Sequence, residues 1–218
     1  MTPGTRYEFY VKDSCSIANV SPWVGPTEVV TLCAISTAPW SENFDNGNWQ
    51  SGTGANNTGN LIAPCWNRPT TNNPDFGTRS GPTGSAGTGP SSDVSGSGNY
   101  LFTEASGGAQ GTGEVSSPML VIPASFTMAQ LSFRSHLLGA GIDSLVVEVD
   151  DGTGFNPVYS LVGAQQTAPT DPWQLNTIDI SAYSGDTVQI RFLGTNSNFE
   201  GDIAIDEVSI KDLSCPAR

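Results

Sequence analysis

The sequence predicts an all-β chain folded as an antiparallel β-sandwich, and three observations carry that expectation. Twenty-five glycines and fifteen prolines break up the apolar runs so often that no helical period survives. In the clearest stretch, 187–193, Val188, Ile190 and Phe192 alternate with Thr187, Gln189 and Arg191, as in a strand with one face buried and one face wet. Short stretches of this kind recur at 99–104, 115–122, 130–136, 144–150, 156–161, 174–180, 187–193 and 203–211, with no blade-length repeat. At 218 residues the chain has room for one such sandwich and a smaller piece.

The first piece is 1–34. In 6–12, Tyr7, Phe9 and Val11 alternate with charged residues, and 27–32 is a second β-rich run. The words Pro3-Gly4-Thr5-x-Tyr7-x-Phe9-x-Val11, Cys15, Ser21-Pro22-Trp23-x-Gly25-Pro26 and Thr31-Leu32-Cys33 resemble the last two strands of a bacterial fibronectin type III domain. That resemblance implies a truncated fibronectin-like domain, with Trp23 packed between its strands. Residues 35–39 read as a linker, 40–212 as the sandwich, and 213–218 as a tail or the start of another fibronectin-like module.

Within the sandwich, the run 81–98 is rich in Gly and Ser and delivers one acid, Asp93, before turning into the strand 99–104. Such a run buries too little side chain to form a helix or a paired strand. Because strands follow it, it reads as a long loop crossing the sheet. The Asp151-Gly152-Thr153-Gly154 segment is a tight hairpin turn. The last strand is irregular: Ile203 and Ile205 share one parity, Val208 and Ile210 the other. Either a β-bulge at Asp206-Glu207 adds a residue, or the strand is buried on both faces with Asp206 held by hydrogen bonds.

Charge and cysteines narrow the function. Eight basic residues against twenty-one acidic ones give a net charge of −13, which repels nucleic acid and anionic lipid. No apolar run approaches the length needed to insert in a membrane. Acidic, turn-rich loops suit cations or simple solvation. Cys15, Cys33, Cys65 and Cys215 lack zinc-site spacing and read as disulfides formed in an oxidising, extracellular compartment. Of the three possible connectivities, the expected one pairs Cys15 with Cys33 on neighbouring strands and Cys65 with Cys215 at the tail. No nucleophile elbow or zincin motif is present, and the sole histidine, His136, ends a strand and reads as structural. The chain is therefore expected not to be an enzyme; Asp and Glu are plentiful but their separation in space is not written in the sequence, so a hydrolase domain with a carboxylate pair is the third and least favoured reading.

Four segments of the second piece resemble a MAM domain: Phe44-Asp45 with Trp49; Thr88-Gly89-Pro90-Ser91-x-Asp93 running on to Asn99-Tyr100-Leu101-Phe102-Thr103-Glu104; Val115-x-Ser117-Pro118; and Gly201-Asp202-Ile203-Ala204-Ile205-Asp206-Glu207-Val208. The resemblance implies a jelly-roll-like sandwich in a secreted or cell-surface protein of bacteria, with a structural calcium ion bridging Asp45, Asp93 and Asp206, and Glu104 and Asp202 as further ligands. It implies a recognition or adhesion module, with extracellular protein or polysaccharide and neighbouring fibronectin-like modules as partners. A carbohydrate-binding accessory module is the other reading, for which Trp49, Trp66 and Trp173, near loops, would supply sugar-stacking rings.

Overall fold

A computed structural model of the chain describes residues 1, 4–16, 19–46, 49, 63, 65–69, 74–105 and 110–214. The chain divides into two compact units, Met1–Ala34 and Ile35–Arg218. The small unit holds β1 (Arg6–Val11), β2 (Ser14–Ser16), β3 (Asn19–Val20) and β4 (Val24–Val30). β1 pairs with β4, and β2 with β3, both antiparallel. Two strands cover little, so Phe9, Val11 and Val24 remain exposed. Trp23 does not pack between strands as expected: it is 62% exposed, with the Lys12 ammonium 4.8 Å from its ring centre.

The large unit contributes β5 (Ser36–Thr37), β6 (Trp40–Glu42), β7 (Phe76–Ser80), β8 (Asn99–Glu104), β9 (Gly111–Ser116), β10 (Leu120–Val121), β11 (Ala129–Leu138), β12 (Ile142–Asp150), β13 (Phe155–Val162), β14 (Gln174–Asp179), β15 (Thr187–Asn196) and β16 (Asp202–Asp212). They form two six-stranded sheets. One runs β13-β12-β15-β10-β5, with β9 also on β15; the other runs β14-β11-β16-β8-β7, with β6 also on β16. Every pairing is antiparallel except β5 with β10. The fold is the expected β-sandwich. Ser36 and Thr37, expected in a linker, pair with Leu120 and Val121 instead, because their backbone groups complete the edge of a sheet.

The core is filled by the alternating residues the sequence marks. Leu145, Val147 and Val149 of β12, Val188, Ile190 and Phe192 of β15, Leu131, Phe133 and Leu137 of β11, and Ile203, Ile205, Val208 and Ile210 of β16 are all fully buried in one cluster. Each such side chain contributes about 1.5–3 kcal/mol by leaving water. The expected strand 115–122 is split into β9 and β10. Between them Pro118 has no N–H to donate, while the Ser117 hydroxyl and amide close on Ile190. The 151–154 turn is as expected, with Asp150 Oδ1 accepting the amides of Gly152 and Gly154 at 2.7 and 2.9 Å.

The disulfide expectation requires correction. Cys33 and Cys65 are bonded to each other. Cys15 lies on β2, whose partner is β3, whereas Cys33 lies beyond the end of β4, so the two do not face each other across neighbouring strands. The Cys65–Cys215 pairing falls with it, and Cys215 lies outside the described residues.

Candidate functional site

The last strand carries the bulge. β11 and β16 lose register between Ser132 and Arg134, which pair with Ser209 and Asp206 respectively, so β16 holds one extra residue there. Glu207 sits in the left-handed region at φ 48°, and two consecutive residues, Asp206 and Glu207, are thereby placed on the outer side of the sheet. Asp206 is 2% exposed and Glu207 is open to solvent. Both sequence readings hold, since β16 is buried on both faces from Asp202 to Asp206 as well as bulged.

At this bulge β16 changes neighbours. Residues 202–205 pair with β8, and 208–210 pair with β6. The end of β6 and the start of β8 are clasped across the gap: Asn99 donates its amide to Asp45 Oδ1 at 2.7 Å and its side chain to the Phe44 carbonyl at 3.2 Å. Phe44 takes a left-handed φ of 61°, and Glu42 Oε1 accepts its amide at 2.9 Å. The loop 81–98 crosses the same place. Asp206 Oδ2 accepts the amide of Val94 at 2.9 Å, and Asp93 Oδ2 accepts that of Ser95 at 2.9 Å. Gly98 is required here because a Cβ would run into the carboxylates of Asp45 and Asp93. Three distant segments thus bring Asp45, Asp93 and Asp206 to one junction.

The electrostatics follow from burial. Loss of water pushes the Asp206 carboxyl up to about 7, its amide hydrogen bonds oppose that, and the Asp93 charge adds to it. Asp93 Oδ1 is buried with no hydrogen-bond partner among the described residues. The two remaining acids form a separate pair further along the loop. Glu104 and Asp202 face each other across β8 and β16. Thr88 Oγ1 donates to Asp202 Oδ2 at 2.7 Å, Ser85 Oγ to Glu104 Oε1 at 3.4 Å, and Asp202 Oδ1 is again a buried oxygen without a partner among the described residues. Burial, then the Glu104 charge, raises the Asp202 carboxyl to about 6. Among the described residues no three His, Cys, Asp or Glu side chains close into a metal-ligating group. The acids expected around one ion are therefore divided into two sets, joined by the loop.

This constellation of acid-after-aromatic turn, Gly-rich loop and bulged closing strand coincides with a match to the MAM domain (meprin/A5/mu) over residues 43–216. The chain belongs to the MAM family. It is 35% identical over 140 residues to MAM domain-containing glycosylphosphatidylinositol anchor protein 1 of Gallus gallus, a match covering 60% of this chain and 14% of that protein. The Mus musculus protein of the same name is 35% identical over 145 residues, covering 63% and 14%. The chain thus spans about a seventh of these relatives. Among solved structures, the K1 cleaved adhesin domain of Lys-gingipain from Porphyromonas gingivalis superposes at a TM-score of 0.53 with 18% identity, covering 80% of this chain and 98% of that one. That likeness is one of fold.

In this MAM domain Trp49 and Trp66 serve packing, which corrects the ligand-binding expectation for those two. Trp49 and Trp66 are 6% and 2% exposed and meet each other and Phe44 edge-on, with ring centres 4.8–5.6 Å apart. Trp173 is half-buried between Tyr100 and His136, its indole N–H held by the Ser92 carbonyl at 3.1 Å. Trp49 and Trp66, so enclosed, present no free face to a sugar, whereas Trp173 is packed on one side and also lines a hollow with Asp93, Arg134 and Asp171. His136 is fully buried, and burial lowers it to about 4, so it is neutral at pH 7. The sequence reading missed a polar groove on the outer face of β11, β14 and β16, bordered by Arg134, Glu207 and Lys211. Its residues look in sequence like the ordinary wet side of strands, and only the bulge hinted at it.

Proposed function

We propose that this MAM domain is a non-catalytic extracellular recognition module of a larger secreted or surface protein, with its crossing loop fixed by a calcium ion. The observation that carries the reading is the buried Asp93 Oδ1, without a hydrogen-bond partner among the described residues, at the junction where loop, opening turn and bulged strand meet. Calcium takes about six to eight oxygens, from carboxylates, backbone carbonyls and water, and would neutralise the repulsion among these acids. Asp93 with Asp45 and Asp206 would hold it, and Asp202 and Glu104 would hold the other end of the loop or a second ion. Relatives whose names include a glycosylphosphatidylinositol anchor, and a fold shared with an adhesin domain, support an extracellular role. The Cys33–Cys65 disulfide fits the same compartment. The resemblance of residues 1–34 to fibronectin type III strands supports fibronectin-like modules as partners.

The test is a thermal melt of the chain in calcium and in chelator, paired with a binding screen against extracellular proteins and glycans under both conditions. Calcium raises the midpoint by several degrees, Asp93→Asn removes that response, and binding falls in chelator. A midpoint indifferent to calcium sinks the clamp, and a folded domain that binds neither class sinks the recognition role. A carbohydrate-binding accessory role is the second reading, favoured by the polar groove.

A further inference from the structure

The outer face of the β14-β11-β16 sheet is covered over part of its length. Under the loop, Tyr100, Phe102 and Ala204 form a small apolar cluster against which Trp173 packs. Beyond the bulge the cover ends and the face opens into a groove of about 600 Å³, bordered by Glu42, Ser132, Arg134, Glu207, Ser209 and Lys211. The bulge serves both halves: Asp206 turns to the loop, and Glu207 turns into the groove.

The groove has a floor of short hydroxyls, where Ser132 and Ser209 share a hydrogen bond of 2.9 Å across the strands. Its walls are charged. Arg134 Nε stands 3.5 Å from Glu207 Oε2 yet makes no hydrogen bond among the described residues. Arg134 also borders a second hollow of about 350 Å³ between the loop and the turn that carries Asp171 and Trp173. Arg134 thus borders both hollows.

Resting on the recognition reading above, we propose that this groove binds a neutral oligosaccharide. The volume lies in the range of ligand pockets, about 300–1,000 Å³. Carboxylate and guanidinium groups together offer acceptors and donors to vicinal hydroxyls, and a serine floor lets a sugar ring approach the sheet closely. The charges within the groove balance, with Arg134 and Lys211 against Glu42 and Glu207. An anionic polymer would meet no net attraction there and would be repelled by the chain's charge of −13. Leu175 is the single apolar side chain of the lining that is exposed beyond half, too little to seat an apolar peptide.

The experiment is calorimetric titration of the full chain, in calcium, with neutral β-1,4-linked oligosaccharides of glucose, xylose, mannose and galactose, and with oligogalacturonate as the acidic counter-probe. The same preparation is screened against extracellular protein domains. Two variants address the groove: Glu207→Gly, which suits the left-handed backbone while removing the carboxylate, and Ser132→Phe, which fills the floor. Thr187→Ala on the other sheet is the control. At least one neutral probe binds saturably, both groove variants weaken it at least about tenfold, as expected for loss of a charged hydrogen-bonding partner or of space, and the control does not. Thermal midpoints show that the variants fold; should Ser132→Phe unfold the chain, Glu207→Gly decides. Neutral binding unchanged in the groove variants, preference for oligogalacturonate, or a folded chain that binds no neutral probe overturns the proposal. Capture of a protein domain with no neutral sugar bound overturns the groove's ligand and leaves the recognition reading standing, whereas binding of neither class ends both.

Discussion

β15 and β16 are the central strands of the two sheets, and each is flanked on one side by two short strands placed end to end, β9 and β10 in one case and β8 and β6 in the other. Their burial differs. Along β15 every second residue is buried without interruption, while β16 is buried on both faces up to Asp206 and then shifts phase at a left-handed residue. Their facing arginines differ as well. Arg191 of β15 is fully engaged, with its Nε 2.7 Å from Glu148, a second ion pair to Glu114 at 3.5 Å and the Phe155 ring 3.7 Å beneath it. Arg134, opposite the bulge of β16, has its Nε 3.5 Å from Glu207 Oε2 and without a hydrogen bond among the described residues. A strand that obeys its period builds the fold, and the strand that breaks it organises the carboxylates and the groove.

The largest test of that difference is on the regular strand. Phe192 is fully buried and meets Phe133 edge-on at 5.3 Å, so Phe192→Ala should cost about 3–5 kcal/mol in denaturant unfolding. Thr187→Ala, on the outward parity of the same strand, should change stability by less than about 0.5 kcal/mol. Equal effects at both positions would mean that β15 is not one-sided.

The doubly buried region of β16 is sensitive to pH through its neighbour His136, which pairs with Ala204. Burial holds His136 down to about 4 from an ordinary 6.5. The unfolded chain therefore takes up this proton first, and stability is lost as pH falls from 6.5 toward 4, by at most about 3 kcal/mol. Asp206 and Asp202, raised by burial, act in the opposite direction, since their protonation favours the folded state as pH falls through about 7 and 6. Comparing His136→Leu with the parent between pH 4 and 7 isolates the histidine. A difference in stability that does not change over that range would remove the effect.

Ala204 tests the outer layer. It is fully buried with Tyr100 and Phe102 beneath the loop, so Ala204→Leu should overpack that layer and cost about 1–3 kcal/mol, measured by thermal or urea unfolding. Tolerance of leucine there would show the loop to be a loose cover.

Much of this contrast is legible in the sequence. The parity of Val188, Ile190 and Phe192 and the phase change between Ile205 and Val208 can both be read directly, because one strand faces a single core and side-chain direction repeats every two residues. β7 escapes notice because Phe76-Gly77-Thr78 is buried without alternating, and β6 because three residues carry no period. Trp49 and Trp66 mislead for a different reason. An aromatic beside turn residues suits a binding rim and a sandwich corner equally, and only the edge-on contacts among Phe44, Trp49 and Trp66 decide. The serines of the groove floor carry no signal, since a solvated strand face has the same composition as a polar site.

The smallest expected effect bears most directly on the bulge. In a regular strand, replacing alanine by glycine loses stability, because glycine gives up more backbone freedom on folding. At Leu193 of β15, Leu193→Gly should therefore be less stable than Leu193→Ala by about 0.5–1 kcal/mol. At Glu207 the order should invert. A residue with a Cβ pays about 1–2 kcal/mol for the left-handed conformation and glycine does not, so Glu207→Gly should be more stable than Glu207→Ala by about 1 kcal/mol. Urea unfolding of the four variants reads both differences with the side chain removed in each case. The same sign at both positions would mean that Glu207 is not held in the left-handed region, and the device that parts Asp206 from Glu207 would be absent.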